Sequence, residues 1–308
     1  MPGSIHIAIV NWNTGDYLRD CLRSVALANG PDVSISHVTV IDNASCDDSA
    51  ADLEDLPLPL ELIRNDRNVG FAAACNQAAA GSRADYLLFL NPDTLLFADT
   101  LATVTAFMDS DGAEAIGICG VEIVGGDGAP RISCARFPTL RVLVGKSTGL
   151  HRVLPHAFPS HHLNAAETQR SRVVDQVIGA FFFVRRELFA RLDGFDRRYF
   201  IYFEEVDFAL RARRHGARSY FLKEAKALHV GNVSSNQVPV SRLYHSLRSR
   251  RLYAYEHWPR RQAHLLVGLT LSVELTARLA RAALRRSRSE IAATAAAYRM
   301  FVDDLVRG

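Results

Sequence analysis

No Cys-x-x-Cys pair occurs in this chain, and its five cysteines, Cys21, Cys46, Cys75, Cys119 and Cys134, are widely spaced. That excludes a zinc ribbon or a disulfide framework and predicts reduced thiols in a cytosolic protein. A dinucleotide fingerprint is also missing, because Asn11-Trp12-Asn13-Thr14-Gly15 follows the first apolar run where three glycines would be needed. Nicotinamide and flavin enzymes drop out. Gly145-Lys146-Ser147 has Leu140 where a phosphate-binding loop needs its first glycine, and there is no Gly-x-Ser-x-Gly elbow. The opening apolar run, 5–10, is too short for a signal peptide. Near the end, the longest uncharged stretch, 262–273, falls short of the roughly 20 residues that span a bilayer, so any membrane contact is expected to be peripheral. His151, His156, His161 and His162 have no carboxylate or cysteine among them at ligand spacing, which argues against a metal there.

Lysine is absent from residue 241 onward, where 13 arginines stand against 5 acids. This tail therefore carries +8 and the first 240 residues −5 of a net +3. An acidic body argues against a nucleic-acid partner, whereas the basic tail suits either an anionic surface or a solvated helix face. With 48% hydrophobic residues in 308, the chain can bury a core for one large domain or two smaller ones.

Strand and helix patterns alternate through the first 125 residues: strands over 5–11, 37–42, 60–64 and 86–90, and helices over 16–29, 71–80 and 100–108, with a short helix near 47–53. The class is therefore α/β, with a mostly parallel central sheet flanked by helices. Parallel strands expose their carboxyl ends at one rim, where such sheets take ligands. Polar clusters stand at those ends: Asn11 to Asn13, Asp42-Asn43-Ala44-Ser45, and Asn65 to Asn68 before Gly70-Phe71. The apolar strand Tyr86 to Leu90 stops at Asn91-Pro92-Asp93, which places a carboxylate at the same rim; it also reads as ordinary turn chemistry.

Residues 121–173 are loosely patterned, with a polar excursion over 152–172 that suits a site-covering loop. A buried strand over 177–184 follows, then a short helix from Arg185 and a helix led by Glu204, Glu205 and Asp207. Acids in a first turn favour the helix dipole, and the aromatic run before them would raise their proton affinity towards that of a general base. Short strands are expected over 219–222 and 225–230, a small-residue loop over 231–235, and helices over 242–257, 262–286 and 290–306.

In order and spacing these motifs resemble the inverting glycosyltransferases of family 2, with a GT-A (nucleotide-diphospho-sugar transferase) fold, and within them the bacterial rhamnosyltransferase-like members. The resemblance rests on Val10-Asn11-Trp12-Asn13, Val40 to Ser45, Asn68-Val69-Gly70-Phe71-Ala72 with Asn76, Leu90 to Asp93, Gly179-Ala180-Phe181, Gly194-Phe195-Asp196, Tyr202 to Asp207, and His229 with Gly231 and Ser234, covering roughly residues 5–235. It implies a catalytic domain over 1–240, with a nucleotide-binding half to about 125 and an acceptor-binding half beyond, followed by a basic amphipathic helical extension over 241–308.

The same resemblance implies roles. Asp42 accepts a hydrogen bond from the donor's pyrimidine, and Asn11, Asn13, Asn43, Asn68, Gly70, Phe71, Asn76 and Asn91 line the nucleotide-sugar pocket. Asp93, in Asn91-Pro92-Asp93 where the family has Asp-x-Asp, would bind Mg2+ or Mn2+, with His229 as a further diphosphate or metal contact. Glu205 is the implied base, with Asp207 and Glu204 as alternatives. The expected donor is dTDP-rhamnose, with a UDP-sugar as the alternative, and the expected acceptor is a saccharide or lipid-linked saccharide in cell-wall or surface polysaccharide synthesis. The site of action would be the cytoplasm or the inner membrane face, with the tail serving peripheral contact or a homodimer. A catalytically silent nucleotide-sugar-binding protein and a nucleotidyltransferase are the rival readings.

Overall fold

Alternating strands and helices build the first part of the chain: β1 (Ser4–Asn11), α1 (Tyr17–Leu27), β2 (Ser34–Asp42), β3 (Leu60–Arg64), α2 (Phe71–Ala79), β4 (Tyr86–Leu90), β5 (Thr94–Leu96), α3 (Thr100–Met108) and β6 (Ile116–Val124). There follow β7 (Cys134–Ala135), α4 (Leu140–Thr148), β8 (Arg172–Val174), β9 (Gln176–Val177), β10 (Phe181–Arg185), α5 (Arg186–Arg191), α6 (Glu204–Arg214) and β11 (Arg218–His229). Helices α7 (Pro239–His257), α8 (Arg260–Leu269), α9 (Leu275–Leu284) and α10 (Arg288–Arg307) complete the order. The structure, a computed structural model, describes residues 2–53, 55–231 and 233–307; Asn232 of the expected small-residue loop lies outside them. The chain divides into two units: residues 1–136, 162–197 and 204–234, and residues 137–161, 198–203 and 235–308.

Within the first unit, the described strands form a nine-stranded sheet in the order β3-β2-β1-β4-β10-β6-β11-β5, with β8 paired to β11. Strands β1 to β4 pair in parallel, as do β6 and β11. Every residue of β4 is buried, because Tyr86-Leu87-Leu88-Phe89-Leu90 lies at the centre of the sheet with both faces covered. Helix α1 turns Leu18, Cys21, Leu22 and Val25 inward at helical spacing, and they join Ile5, Ile7 and Ile9 of β1 in the core.

Three expectations differ in detail. The apolar run over 177–184 is two strands, β9 and β10, broken at Ile178-Gly179-Ala180. There the chain re-enters the sheet at its rim, so β10 runs antiparallel to β4 and β6 and the sheet is mixed. Conversely, the two short strands expected over 219–230 are one strand, β11, whose register against β6 shifts between Leu222 and Lys226.

The second unit contains α4 and α7 to α10, so residues 137–161 and 198–203 join the tail helices. Helix α4 was not anticipated. Thr139 caps it by accepting from the Val142 N–H at 3.3 Å, and Gly149 ends it at φ +79°. Gly145 sits inside this helix, where a Cβ would come within 2.7 Å of Phe158. Its glycine serves packing. Leu143, Ala254, Ala263 and Leu266 form one small core and Leu247, Tyr298 and Phe301 another.

The expectation that no tail segment could span a bilayer needs correction. A π-helical turn, Thr270–Glu274, joins α8 to α9. The resulting 25-residue run Arg260–Leu284 is long and apolar enough to cross a membrane by length and composition, and 22% of its most apolar window is buried. The charged residues within it misled the sequence reading: Glu274 is buried and pairs with Arg250 at 2.6 Å and Arg278 at 2.9 Å.

Candidate active site

At the rim of the first unit, the last paired residues of β1 and β2 are Asn11 and Asp42. Asn11 is fully buried, and its Nδ2 donates to Asp42 Oδ1 at 3.0 Å, Ser45 Oγ at 3.1 Å and Ser49 Oγ at 2.8 Å. Asp42 Oδ1 also accepts from the Ser45 hydroxyl at 2.5 Å, while its Oδ2 has no hydrogen bond among the described residues. A neighbouring set ties the next two loops together. Asn43 Nδ2 donates to Asn68 Oδ1 at 2.9 Å, and Asn43 Oδ1 accepts from Asn65 Nδ2 at 3.1 Å and the Val69 N–H at 3.0 Å. Asn11, Asn43 and Asn68 thus frame the crevice by joining the loops that surround it. Asn13 at φ +51° and Ala44 at φ +62° hold left-handed backbone in those loops, a conformation that clusters at functional sites. The Cys46 N–H donates to Asn13 Oδ1 at 2.7 Å. Gly70, at φ +88°, opens α2 ahead of the half-buried Phe71; a side chain there would be strained.

Asp93 and His229 come together because β5 and β11 pair antiparallel, with Thr94 opposite His229. His229 Nε2 lies 3.1 Å from Asp93 Oδ1, and Asp93 Oδ2 accepts the Gly231 N–H at 3.0 Å. Asp93 is 6% exposed. One carboxylate and one imidazole form a partial donor set that fits Mg2+ or Mn2+, which take such protein ligands together with waters and substrate phosphates. Among the described residues no group of three or more His, Cys, Asp or Glu is arranged to hold an ion by itself.

Helix α6 presents the acids. Tyr202 at φ +69° and Phe203 at φ +73° precede it in strained backbone, which turns the chain sharply into Glu204-Glu205. Glu204 is buried, and its Oε2 has no hydrogen-bond partner among the described residues. Burial, and next the neighbouring Glu205, push its carboxyl well above the usual range, which favours its neutral form. Glu205 is half-buried, and its carboxyl lies 3.8 Å from where a Cβ on Gly179 would stand. The next residue, Ala180, accepts the Asn91 N–H at 3.0 Å and the Thr94 hydroxyl at 3.4 Å. Through this short β9–β10 link, Glu205 and Asp93 border one stretch of rim.

Two expected site residues have other tasks. Asp207, 1% exposed, accepts from Arg211 Nε at 2.7 Å, and that guanidinium donates to the Leu192 and Gly194 carbonyls at 2.7 and 2.9 Å. Through Arg211 it ties α6 to the loop at Leu192 and Gly194. Asn76 donates to the Phe195 carbonyl at 2.7 Å and accepts the Phe195 N–H at 2.9 Å, which secures Phe195 in a cluster with Phe89, Phe182, Phe189 and Phe208. Asn76 supports the wall from behind. Sequence reasoning missed Ser49, which carries no distinctive spacing, and quoted Gly179 in a motif without giving it a place in the site.

Comparison with known proteins adds independent findings. Residues 6–192 match the model of glycosyl transferase family 2. The chain is similar, at 28% identity over 94% of its length and 96% of the relative's, to an N-acetylglucosaminyl-diphospho-decaprenol L-rhamnosyltransferase of Mycobacterium tuberculosis. It is also similar to the rhamnosyltransferase WbbL of Escherichia coli, at 30% identity over 47% of this chain and 52% of that one. Among solved structures, the mannosyltransferase PcManGT of Pyrobaculum calidifontis, in complex with GDP-Man and Mn2+, superimposes with a TM-score of 0.58 at 16% identity over 99% of this chain and 88% of that one. TarS 1-349 of S. aureus with UDP-GlcNAc gives 0.56 at 16% identity over 96% and 91%. Both share the fold.

Proposed function

We propose, from the premise that the chain belongs to glycosyl transferase family 2 and is a hexosyltransferase, that it moves L-rhamnose from dTDP-rhamnose to a hydroxyl of a lipid-linked saccharide, with inversion, in cell-wall or surface polysaccharide synthesis. The sugar and the acceptor class are supported by the names of the rhamnosyltransferases it resembles. The observation that carries the reaction is the shared rim, with Glu205 against Gly179 and Ala180 bonded to the Asn91 and Thr94 that flank Asp93.

The chemistry follows from these positions. Asp42 Oδ2 is available to accept the N3–H of a pyrimidine, within loops that Asn11, Asn43 and Asn68 hold rigid. Asp93 and His229 would hold Mg2+ or Mn2+ against the donor diphosphate, where a cation supplies Lewis-acid stabilisation of the leaving group. Glu205 removes the acceptor proton as its oxygen attacks the anomeric carbon, and the nucleoside diphosphate departs from the opposite face. Burial pushes the Glu204 carboxyl up beside it, which favours the neutral form and so a single negative charge at the base.

The tail supports work at the inner membrane face. Along α8 and α9 the exposed positions between His264 and Arg281, namely Leu265, Gly268, Ser272, Val273, Thr276 and Ala280, are all uncharged, and these two basic residues flank them. An uncharged exposed strip flanked by basic residues suits an interfacial helix on anionic lipid.

The test is incubation with dTDP-rhamnose, UDP-sugars and GDP-mannose, each with a polyprenyl-diphosphate N-acetylglucosamine acceptor. Rhamnosylated lipid with inverted anomeric configuration is expected. Transfer from UDP-sugars alone would overturn the donor assignment, and pyrophosphate exchange in place of transfer would indicate a nucleotidyltransferase.

A further inference from the structure

A cavity of about 550 Å3 opens in the first unit between β8, the start of β11 and the segment around Glu167. Arg213, near the C-terminal end of α6, contributes to it, whereas Glu204 and Glu205 open the N-terminal end. Strand β11 has Arg218 and Ser219 at the cavity and His229 beside Asp93 at its other end, roughly 30 Å along the strand, so a donor held at Asp93 is not the occupant.

Four arginines line the cavity, Arg136, Arg172, Arg213 and Arg218, against two acids, Glu167 and Asp175. Both carboxylates are already engaged. Glu167 pairs with Arg136, and Asp175 accepts from Arg213 at 2.8 Å. Arg172 makes one hydrogen bond, to the Glu167 carbonyl at 3.3 Å, and Arg218 makes no side-chain hydrogen bond or ion pair among the described residues. Antiparallel pairing of Ser219 with Val174 and Phe221 with Arg172 fixes these two arginines on adjacent strands.

Unpaired cations facing one concavity repel each other unless an anion lies between them. The lining residues carry a net charge of +2, from four arginines and two acids, and two of the arginines, Arg172 and Arg218, have no ion pair among the described residues. A carboxylate offers one charge and two oxygens; a phosphoryl group offers up to two charges and three oxygens, which matches two guanidinium groups better. A bare ion would fill little of the volume, which lies in the ordinary range for small-molecule sites. From this we infer that the cavity binds the phosphoryl group of a small phosphorylated molecule through Arg172 and Arg218, at a site separate from the catalytic rim.

The full chain is tested in EDTA, which withdraws any cation from the Asp93 region, with glucose 1-phosphate, inorganic phosphate and glucose as probes. Phenylglyoxal modification mapped by mass spectrometry should show Arg172 and Arg218 protected by the phosphates and not by glucose. Stronger protection by glucose 1-phosphate assigns the site to an ester, and equal protection by inorganic phosphate assigns it to the free ion. In calorimetry, Arg172→Gln and Arg218→Gln should each weaken binding roughly tenfold and leave KM for the nucleotide sugar unchanged. Protection by glucose, absence of protection, or unchanged affinity in the double variant overturns the inference.

Discussion

At the scale of single residues, protein partners decide which expected site residues face a ligand. Asn76 reads as a pocket wall in sequence, yet both ends of its amide are bound to the Phe195 backbone. Asn76→Ala leaves that backbone unmatched and should cost about 1–3 kcal/mol in denaturant unfolding, with nucleotide affinity within about threefold. A large loss of nucleotide binding at unchanged stability would return Asn76 to the pocket. Glu204 predicts a pH effect whose sign follows from its raised carboxyl. Above the ordinary glutamate range the unfolded chain releases this proton while the folded chain keeps it, so folding loses stability as pH rises until the raised folded value is passed. Glu205 and the Cys75 thiol, itself pushed up by burial and by Glu204, face the same carboxyl. Glu204→Gln should therefore gain stability relative to the parent at pH 8 compared with pH 5, measured by unfolding at both. A gap independent of pH would contradict a protonated Glu204.

At the scale of elements, long periodic segments were legible and irregular connections were not. Strand 60–64 and helix 100–108 match the observed β3 and α3, because apolar periodicity at fixed spacing marks them directly. The break at Gly179 was not legible, since Val177 to Val184 is an unbroken apolar run and nothing local announces that the chain turns at the rim. Helix α4 was missed although Thr139 and Gly149 carry its caps, because basic and polar residues dilute its apolar face. In the tail, the buried Glu274 and its partner Arg278 made a continuous helical run look interrupted. If the exposed strip of α8 and α9 contacts lipid, Leu265→Glu combined with Val273→Glu should abolish flotation with anionic liposomes and leave unfolding within about 0.5 kcal/mol, as expected for exposed positions. Unchanged flotation, or dimer loss by light scattering without any lipid effect, would assign the strip to self-association.

At the scale of the whole molecule, the two units divide the labour suggested by charge. The sheet unit holds every proposed catalytic and donor-binding residue, from Asn11 to His229. The other unit contains the arginine-rich tail, whose excess of positive charge was readable from composition alone. The candidate site was legible as an ordered series of motifs, because the carboxyl ends of parallel strands converge whatever their loops contain. What sequence could not supply was the choice among three acids within four positions of α6. Tertiary contacts support Glu205 as the proposed base: Asp207 is tied to Arg211, Glu204 is buried with its carboxyl pushed up, and Glu205 borders the Gly179 link.

The most direct measurement compares Glu205→Gln with Asp93→Ala in turnover and in nucleotide-sugar binding, with and without Mn2+. Glu205→Gln should lower transfer by at least about a hundredfold with donor affinity within a few-fold, while Asp93→Ala should lose the Mn2+-dependent part of donor binding. Undiminished transfer by Glu205→Gln would contradict the account.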